Sequence, residues 1–337
     1  MPNAHKRRPT GMGYWPMPTA SSLARRLQLS WAALCLAAAL WLAWRWPHSP
    51  LLAFAGAALV LALPSLILAL ELCIASSLAR SDTTVPRASG TQLIRAWISE
   101  VRHFHHTFAW RQPFRWREVE DHLDAGCEGR VGVVLVHGFV CNRGFWTPWL
   151  RRLRSAGHPC LAMNLEPVYG SIDSYAEQID AAVRRMTKVT GRAPVLVCHS
   201  MGGLAARAWW RASGGRTAVA HLVTIASPHR GTWVARFSHK VNGRQMRLKS
   251  AWIAALQTDE LRHPLPPTTC WYSNCDNVVF PSSTATLGGA DNRFLPGEAH
   301  VALAFHPAVH DACVQLLHRE QSSRQGEFVT GIGAENG

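Results

Sequence analysis

The chain has 337 residues, enough for one large domain or two small ones, and a net charge of +14 with a pI near 10.1. Such a balance points to an anionic partner, nucleic acid or a membrane surface. No zinc-finger spacing, RNA-binding signature or long Lys/Arg tract is present, so the membrane is the better reading and no nucleic acid is expected.

Residues 1–26 form a basic tail containing Lys6, Arg7, Arg8, Arg25 and Arg26. Residues 27–46, LQLSWAALCLAAALWLAWRW, carry a single charge, Arg45, and residues 51–77 carry only Glu71. A stretch of about 20 apolar residues spans a hydrocarbon core. Only Pro47-His48-Ser49-Pro50 separates the two runs, so residues 27–79 are expected to cross a bilayer as a tight helical hairpin. Trp41, Trp44 and Trp46 lie near its tip, where indoles favour the interface. A cleaved signal peptide fits poorly, because the apolar region is too long and no A-x-A-like site follows Trp46. Arginines also follow the second run, at Arg80, Arg87 and Arg95, while Arg45 alone marks the tip. The positive-inside rule then puts both ends, and the domain after them, in the cytoplasm of a bacterial-type inner membrane.

Residues 80–126 are expected to form a linker and an amphipathic helix. The stretch 80–90, RSDTTVPRASG, has linker composition. Leu93, Ile94, Trp97, Ile98, Val101, Phe104 and Phe108 then recur at helical spacing, with Arg95, Glu100, Arg102 and His103 largely elsewhere on the wheel. This helix either lies on the membrane or packs against the domain that follows. His103, His105 and His106 lack further ligands at metal spacing and read as a polar face.

From residue 127 to 320 short apolar strands alternate with helices. Strands are expected at 131–136, 160–164, 195–198, 221–226 and 269–272, and helices at 145–156, 175–188, 202–212 and 305–318. That order specifies an α/β fold, a mostly parallel sheet covered by helices on both faces. Catalytic loops in such folds lie at the carboxyl ends of strands. Nine cysteines at irregular spacing make no disulfide framework, although Cys270 and Cys275 could close a small loop in an oxidising compartment.

The stretch 195–206, VLVCHSMGGLAA, places Ser200 between a strand and a helix, with Cys198 where G-x-S-x-G has its first glycine. Cysteine is small enough for the sharp turn, and Ser200 is the candidate nucleophile rather than a mere helix cap. His137-Gly138-Phe139 follows the first strand directly, so the N–H groups of Phe139 and Met201 are the candidate oxyanion donors, with His137 structural. Asp276, just past the last strand, is the candidate acid over Asp259 and Asp291. His300 is the candidate base over His306, His310 and His318, because it follows a loop and precedes the closing helix.

Taken in order, VLVHGF (134–139), CHSMGG (198–203), TIASPHRGT (224–232), SNCDNVVFP (273–281) and GEAHVALAFHP (297–307) resemble lipases and esterases of the α/β-hydrolase superfamily, bacterial triacylglycerol lipases among them. Ser227 stands where those lipases carry Thr. The resemblance implies a Ser200–Asp276–His300 triad cleaving carboxylic, lipid acyl esters through an acyl-enzyme, with a lid or cap near residues 231–267. That interval mixes Trp233, Phe237 and Trp252 with Arg236, Lys240 and Arg244. Some of these lipases hold a structural calcium through aspartates near the histidine. Here Asp291 is one loop candidate without a full ligand set, so no metal and no cofactor is expected. The partners expected are an acyl ester or lipid and the bilayer. Acyl transfer to another acceptor, and an idle membrane protein that binds or assists transport, remain as alternatives. Residues 321–337 are a polar tail expected to lack structure.

Overall fold

The computed structural model describes residues 21–79 and 82–332, with side chains through residue 322. Lys6, Arg7, Arg8 and Arg80 therefore lie outside the described residues. The Ser21 hydroxyl accepts the Ala24 N–H and starts helix α1 (Ser22–Arg45) one turn before the apolar run. Ser49 caps α2 (Pro50–Leu78), and Pro50 occupies its first position, where a missing N–H costs nothing. The two pack as a hairpin, with Trp41 Nε1 donating to Leu52 O at 3.2 Å. Both are long and apolar enough to cross a membrane. Their large side chains, Leu36, Leu40, Leu59 and Leu70 among them, are exposed, unlike those of a helix in a soluble core.

A capping box closes the start of α3 (Gly90–Phe104): Ser89 accepts the Gln92 N–H and Gln92 accepts the Ser89 N–H. The helix continues through a π-helical turn, His105–Arg111, into the short α4 (Gln112–Phe114). Helix α3 packs on α2 and on the domain that follows. Trp97 Nε1 donates to Ser65 O of α2 at 2.8 Å, while Ile94 and Ile98 stay exposed. Glu100 does not lie on a solvated face as the wheel implied; it is 1% exposed, turned toward the domain. The histidine face is used locally, as His103 and His105 bond the carbonyls four residues back. On the other side Gln28 and Trp31 of α1 donate to Pro113 O and Phe108 O, at 2.7 and 2.8 Å.

The domain is a six-stranded sheet in the order β2-β1-β3-β4-β5-β6, every pair parallel. The strands are β1 (Val133–Val136), β2 (Cys160–Ala162), β3 (Val195–His199), β4 (His221–Ile225), β5 (Thr268–Tyr272) and β6 (Asp291–Phe294). Alternate residues feed two cores. Val133, Leu135, Val195 and Val197 pack beneath α5 (Thr147–Ser155) and α11 (Pro307–Ile332). Val134, Val136, Leu196 and Cys198 pack beneath α6 (Ala176–Thr190) and α7 (Met201–Ser213). Each fully buried aliphatic side chain contributes roughly 1.5–3 kcal/mol. The strand order reverses at β1, so the ends of β1 and β3 lie side by side, Val136 against Cys198.

The sequence reading missed β6, because DNRF is a polar, half-exposed edge strand without an apolar period. It also ended the last helix at His318, whereas α11 runs to Ile332 through most of the expected tail; residues 333–337 lie outside the described residues. Between β4 and β5 a 3-10 turn (Trp233–Phe237), α8 (Val241–Gln245) and α9 (Ala251–Glu260) form the segment read as a lid. The buried Arg207 donates to both oxygens of the half-buried Glu260, at 2.6 and 2.8 Å, and ties α9 to α7. All nine cysteines are free, Cys270 and Cys275 both buried.

Candidate active site

Ser200 sits between the end of β3 and the start of α7, at φ 53° and ψ −126°. A non-glycine residue held in that region costs of order 1–3 kcal/mol and persists only where its surroundings impose it. Ser200 N donates to Ile225 O at 2.9 Å, which ties the turn to β4. Although Ser200 occupies the cap position of α7, its side chain makes no capping hydrogen bond. The hydroxyl is therefore not spent on the helix.

The turn brings backbone against backbone. A Cβ on Gly202 would lie 2.5 Å from Val136 O and 2.8 Å from His137 O, and one on Gly138 would lie 2.8 Å from Ser200 Cβ. Cys198 is fully buried under this turn, and burial raises its thiol pKa, so it packs as a small apolar residue. Gly138 and Phe139 thus leave β1 directly beside Ser200. Among the described residues, neither the Phe139 nor the Met201 N–H donates to another group. Two amides beside a serine could hold an oxyanion.

Asp276 follows β5 and is 4% exposed. Its Oδ1 accepts the N–H groups of Val278 and Val279 at 2.9 and 2.7 Å. His300 opens the short α10 (His300–Leu303), and its Nδ1 lies 3.0 and 3.1 Å from the two Asp276 oxygens. Because a carboxylate only accepts, Nδ1 carries the proton and Nε2 keeps a lone pair. Burial works against the imidazolium. The Asp276 charge and hydrogen bond, with Glu100 and Glu71 behind, outweigh it and raise the ring's pKa above the ordinary histidine value.

Ser200 and His300 are not hydrogen-bonded to each other among the described residues; His199, the residue before Ser200, is the one in contact with His300. The His199 Nε2 donates to His300 O at 3.2 Å, and the two rings lie 4.7 Å apart. Catalytic contacts of this kind are often long before substrate binds. His137 uses both nitrogens structurally, Nδ1 toward Gly138 O and Nε2 accepting the Leu165 N–H, and burial pushes its pKa down to about 4.

The competing candidates lie elsewhere. Asp259 pairs with Arg211 and Arg262, and Asp291 with Arg293 at 2.7 Å. His306 approaches Glu298, His310 packs on Trp149, and His318 faces His158. Three groups escaped the sequence reading. Asn277 accepts the His300 N–H, while Glu71 and Glu100 reach the same corner from α2 and α3. The one available signal was Glu71, a lone acid in an apolar run.

The sequence pattern of the alpha/beta hydrolase family matches residues 133–324, more than half of the chain. Among solved structures, the mature form of the Bacillus licheniformis lipase BlEst2 is similar with a TM-score of 0.51 at 15% identity, over 56% of this chain and 92% of that one. Aspergillus fumigatus lipase B gives 0.47 at 17% identity, over 56% of this chain and 52% of that one. No curated protein matches the sequence. The first likeness shows the fold, and the family match, with the six-stranded parallel sheet and the turn at Ser200, establishes that this chain belongs to the alpha/beta hydrolase family.

Proposed function

We propose that the protein is a membrane-anchored serine hydrolase that cleaves carboxylic, lipid acyl esters through an acyl-enzyme. The observation that carries this reading is Ser200, held at positive φ with its hydroxyl unspent, beside a buried Asp276–His300 hydrogen bond. In the proposed reaction His300 Nε2 takes the Ser200 proton as Oγ attacks the ester carbonyl carbon. The N–H groups of Phe139 and Met201 hold the tetrahedral oxyanion. The carbon–alkoxide bond breaks, and the alkoxide leaves as alcohol with the proton from His300. Water then gives a proton to His300 and attacks the acyl carbon. The Ser200–acyl bond breaks, and Ser200 recovers its proton.

Residues 27–79 are proposed as the membrane anchor, residues 127–320 as the hydrolase domain, and residues 231–267 as its lid. A lipid substrate is favoured by what borders the oxyanion loop. Phe139 packs on Tyr169 at 5.8 Å, and the Tyr169 ring also takes Arg26 of α1 and Lys240 of the lid segment, at 5.5 and 5.3 Å. Phe237 and Val241 of the same segment are exposed. An apolar and basic surface beside the hairpin suits an anionic lipid interface. Arg25, Arg26, Arg87 and Arg95 flank the domain end of the hairpin and only Arg45 its tip, which favours a cytoplasmic domain. An alkaline phosphatase fusion after Gly337 should then be inactive, and an active fusion would reverse the topology.

The purified protein in detergent should hydrolyse p-nitrophenyl esters across a chain-length series, and Ser200→Ala should abolish that turnover. Turnover of no ester would return the idle binding or transport role. Alkyl ester products formed with an alcohol acceptor would identify acyl transfer instead.

A further inference from the structure

Two carboxylates from outside the family fold stand behind the acid–base pair. Glu100 of α3 accepts the Val301 N–H at 3.0 Å and the Ala302 N–H at 2.9 Å, the two amides directly after His300. Glu71 of α2 accepts a hydrogen bond from Asn277 Nδ2 at 2.9 Å, and Asn277 Oδ1 accepts the His300 N–H at 3.2 Å. Asn277 is fully buried and is the neighbour of Asp276. Three successive amides, those of residues 300 to 302, are thus held from helices that precede the hydrolase domain. The position along α2 fits this use. Glu71 lies about 32 Å along the helix from Pro50, where a hydrocarbon core of about 30 Å ends.

Satisfying the first amides of a helix needs only an uncharged acceptor, and a buried carboxylate is a costly way to supply one. The charges do what a neutral cap could not, because they favour the protonated imidazole that forms during turnover. The groups facing His300 are Asp276 after β5, Glu100 from α3, Glu71 from α2 and the neutral His199 at the end of β3. Burial pushes the Glu100 carboxyl up to about 7, against the amides and His300, which favour its charged form.

We propose that α2 and α3 are working parts of the active site, Glu71 and Glu100 being positioning residues that fix the backbone and the charge of His300, so that the hairpin serves catalysis as well as anchoring. This rests on the serine hydrolase reading above. The test uses the full-length protein in detergent micelles, with p-nitrophenyl butyrate turnover from pH 5 to 9 and fluorophosphonate labelling. Glu100→Gln keeps an acceptor and loses the charge, so the acid limb of kcat/KM should move down by about half a pH unit. Glu100→Ala and Glu71→Leu should lower kcat and the labelling rate about tenfold or more at little changed KM. Glu71→Gln, which can still accept from Asn277, should restore most of the rate. Trp41→Phe breaks the α1–α2 hydrogen bond near the hairpin tip and should leave rate and limb in place. Wild-type rates in Glu100→Ala and Glu71→Leu, an unmoved limb in Glu100→Gln, or an equal loss in Trp41→Phe would each overturn the proposal. Should Glu100→Ala not fold, the limb of Glu100→Gln still decides. A wild type that does not label, or a Ser200→Ala protein that does, would overturn the hydrolase reading and this inference with it.

Discussion

Asp276→Asn should lower kcat/KM by about 10⁴-fold while leaving the fold in place. Asparagine can still accept the Val278 and Val279 amides through its oxygen. Facing His300 Nδ1, its NH₂ group would then meet an N–H, and the ring would settle with the proton on Nε2 instead. Ser200 would face a donor and have no base. The pH profile gives a second reading. Asp276 helps to hold the His300 pKa above the ordinary histidine value, so without its charge the acid limb of the residual activity moves to lower pH. Asp259→Asn and Asp291→Asn, at carboxylates paired with arginines, should stay within about twofold of wild type. Initial rates with p-nitrophenyl butyrate on folded protein check all three. A large loss in Asp291→Asn with a small one in Asp276→Asn would move the acid to β6.

Gly202→Val should be the most damaging single substitution for stability near the site. The atoms a Cβ would meet, Val136 O and His137 O, are backbone of the interior strand β1 and the oxyanion loop, and they cannot move as a flexible side chain can. Overpacking of this kind costs about 3 kcal/mol or more, which for a domain of this size lowers Tm by about 6–12 °C. Any protein that folds would hold α7 away from β1, separating the Phe139 and Met201 amides and slowing turnover. Gly126→Ala, where nothing lies within 4 Å, should leave Tm within about 2 °C. Thermal unfolding in detergent reads both. An unchanged Tm in Gly202→Val would show that strand and helix are not packed as described.

What was legible in the sequence, and what was not, follows from the range of the interactions. β1 and β3 announced themselves because each is a β-branched run buried on both faces, and Ser200 because the turn from β3 into α7 admits only small residues. Asp276 and His300 could be singled out by their places after a strand and before a helix, and the structure brings those two together. β6 was invisible because an edge strand needs no apolar period. Glu100 was misread because a wheel treats every charge as solvated, and only the packing of α10 on α3 shows it capping buried amides. The link from Glu71 to His300 runs through Asn277, more than 200 residues away along the chain, and no local pattern records it.

The central claim is that Ser200 is an activated nucleophile, and covalent labelling by a fluorophosphonate tests it most directly. The account predicts that the wild-type protein in detergent labels at one site, that the tryptic peptide carrying the adduct contains Ser200, and that Ser200→Ala does not label. Undiminished labelling of Ser200→Ala, or a folded wild type that resists the probe, would contradict it.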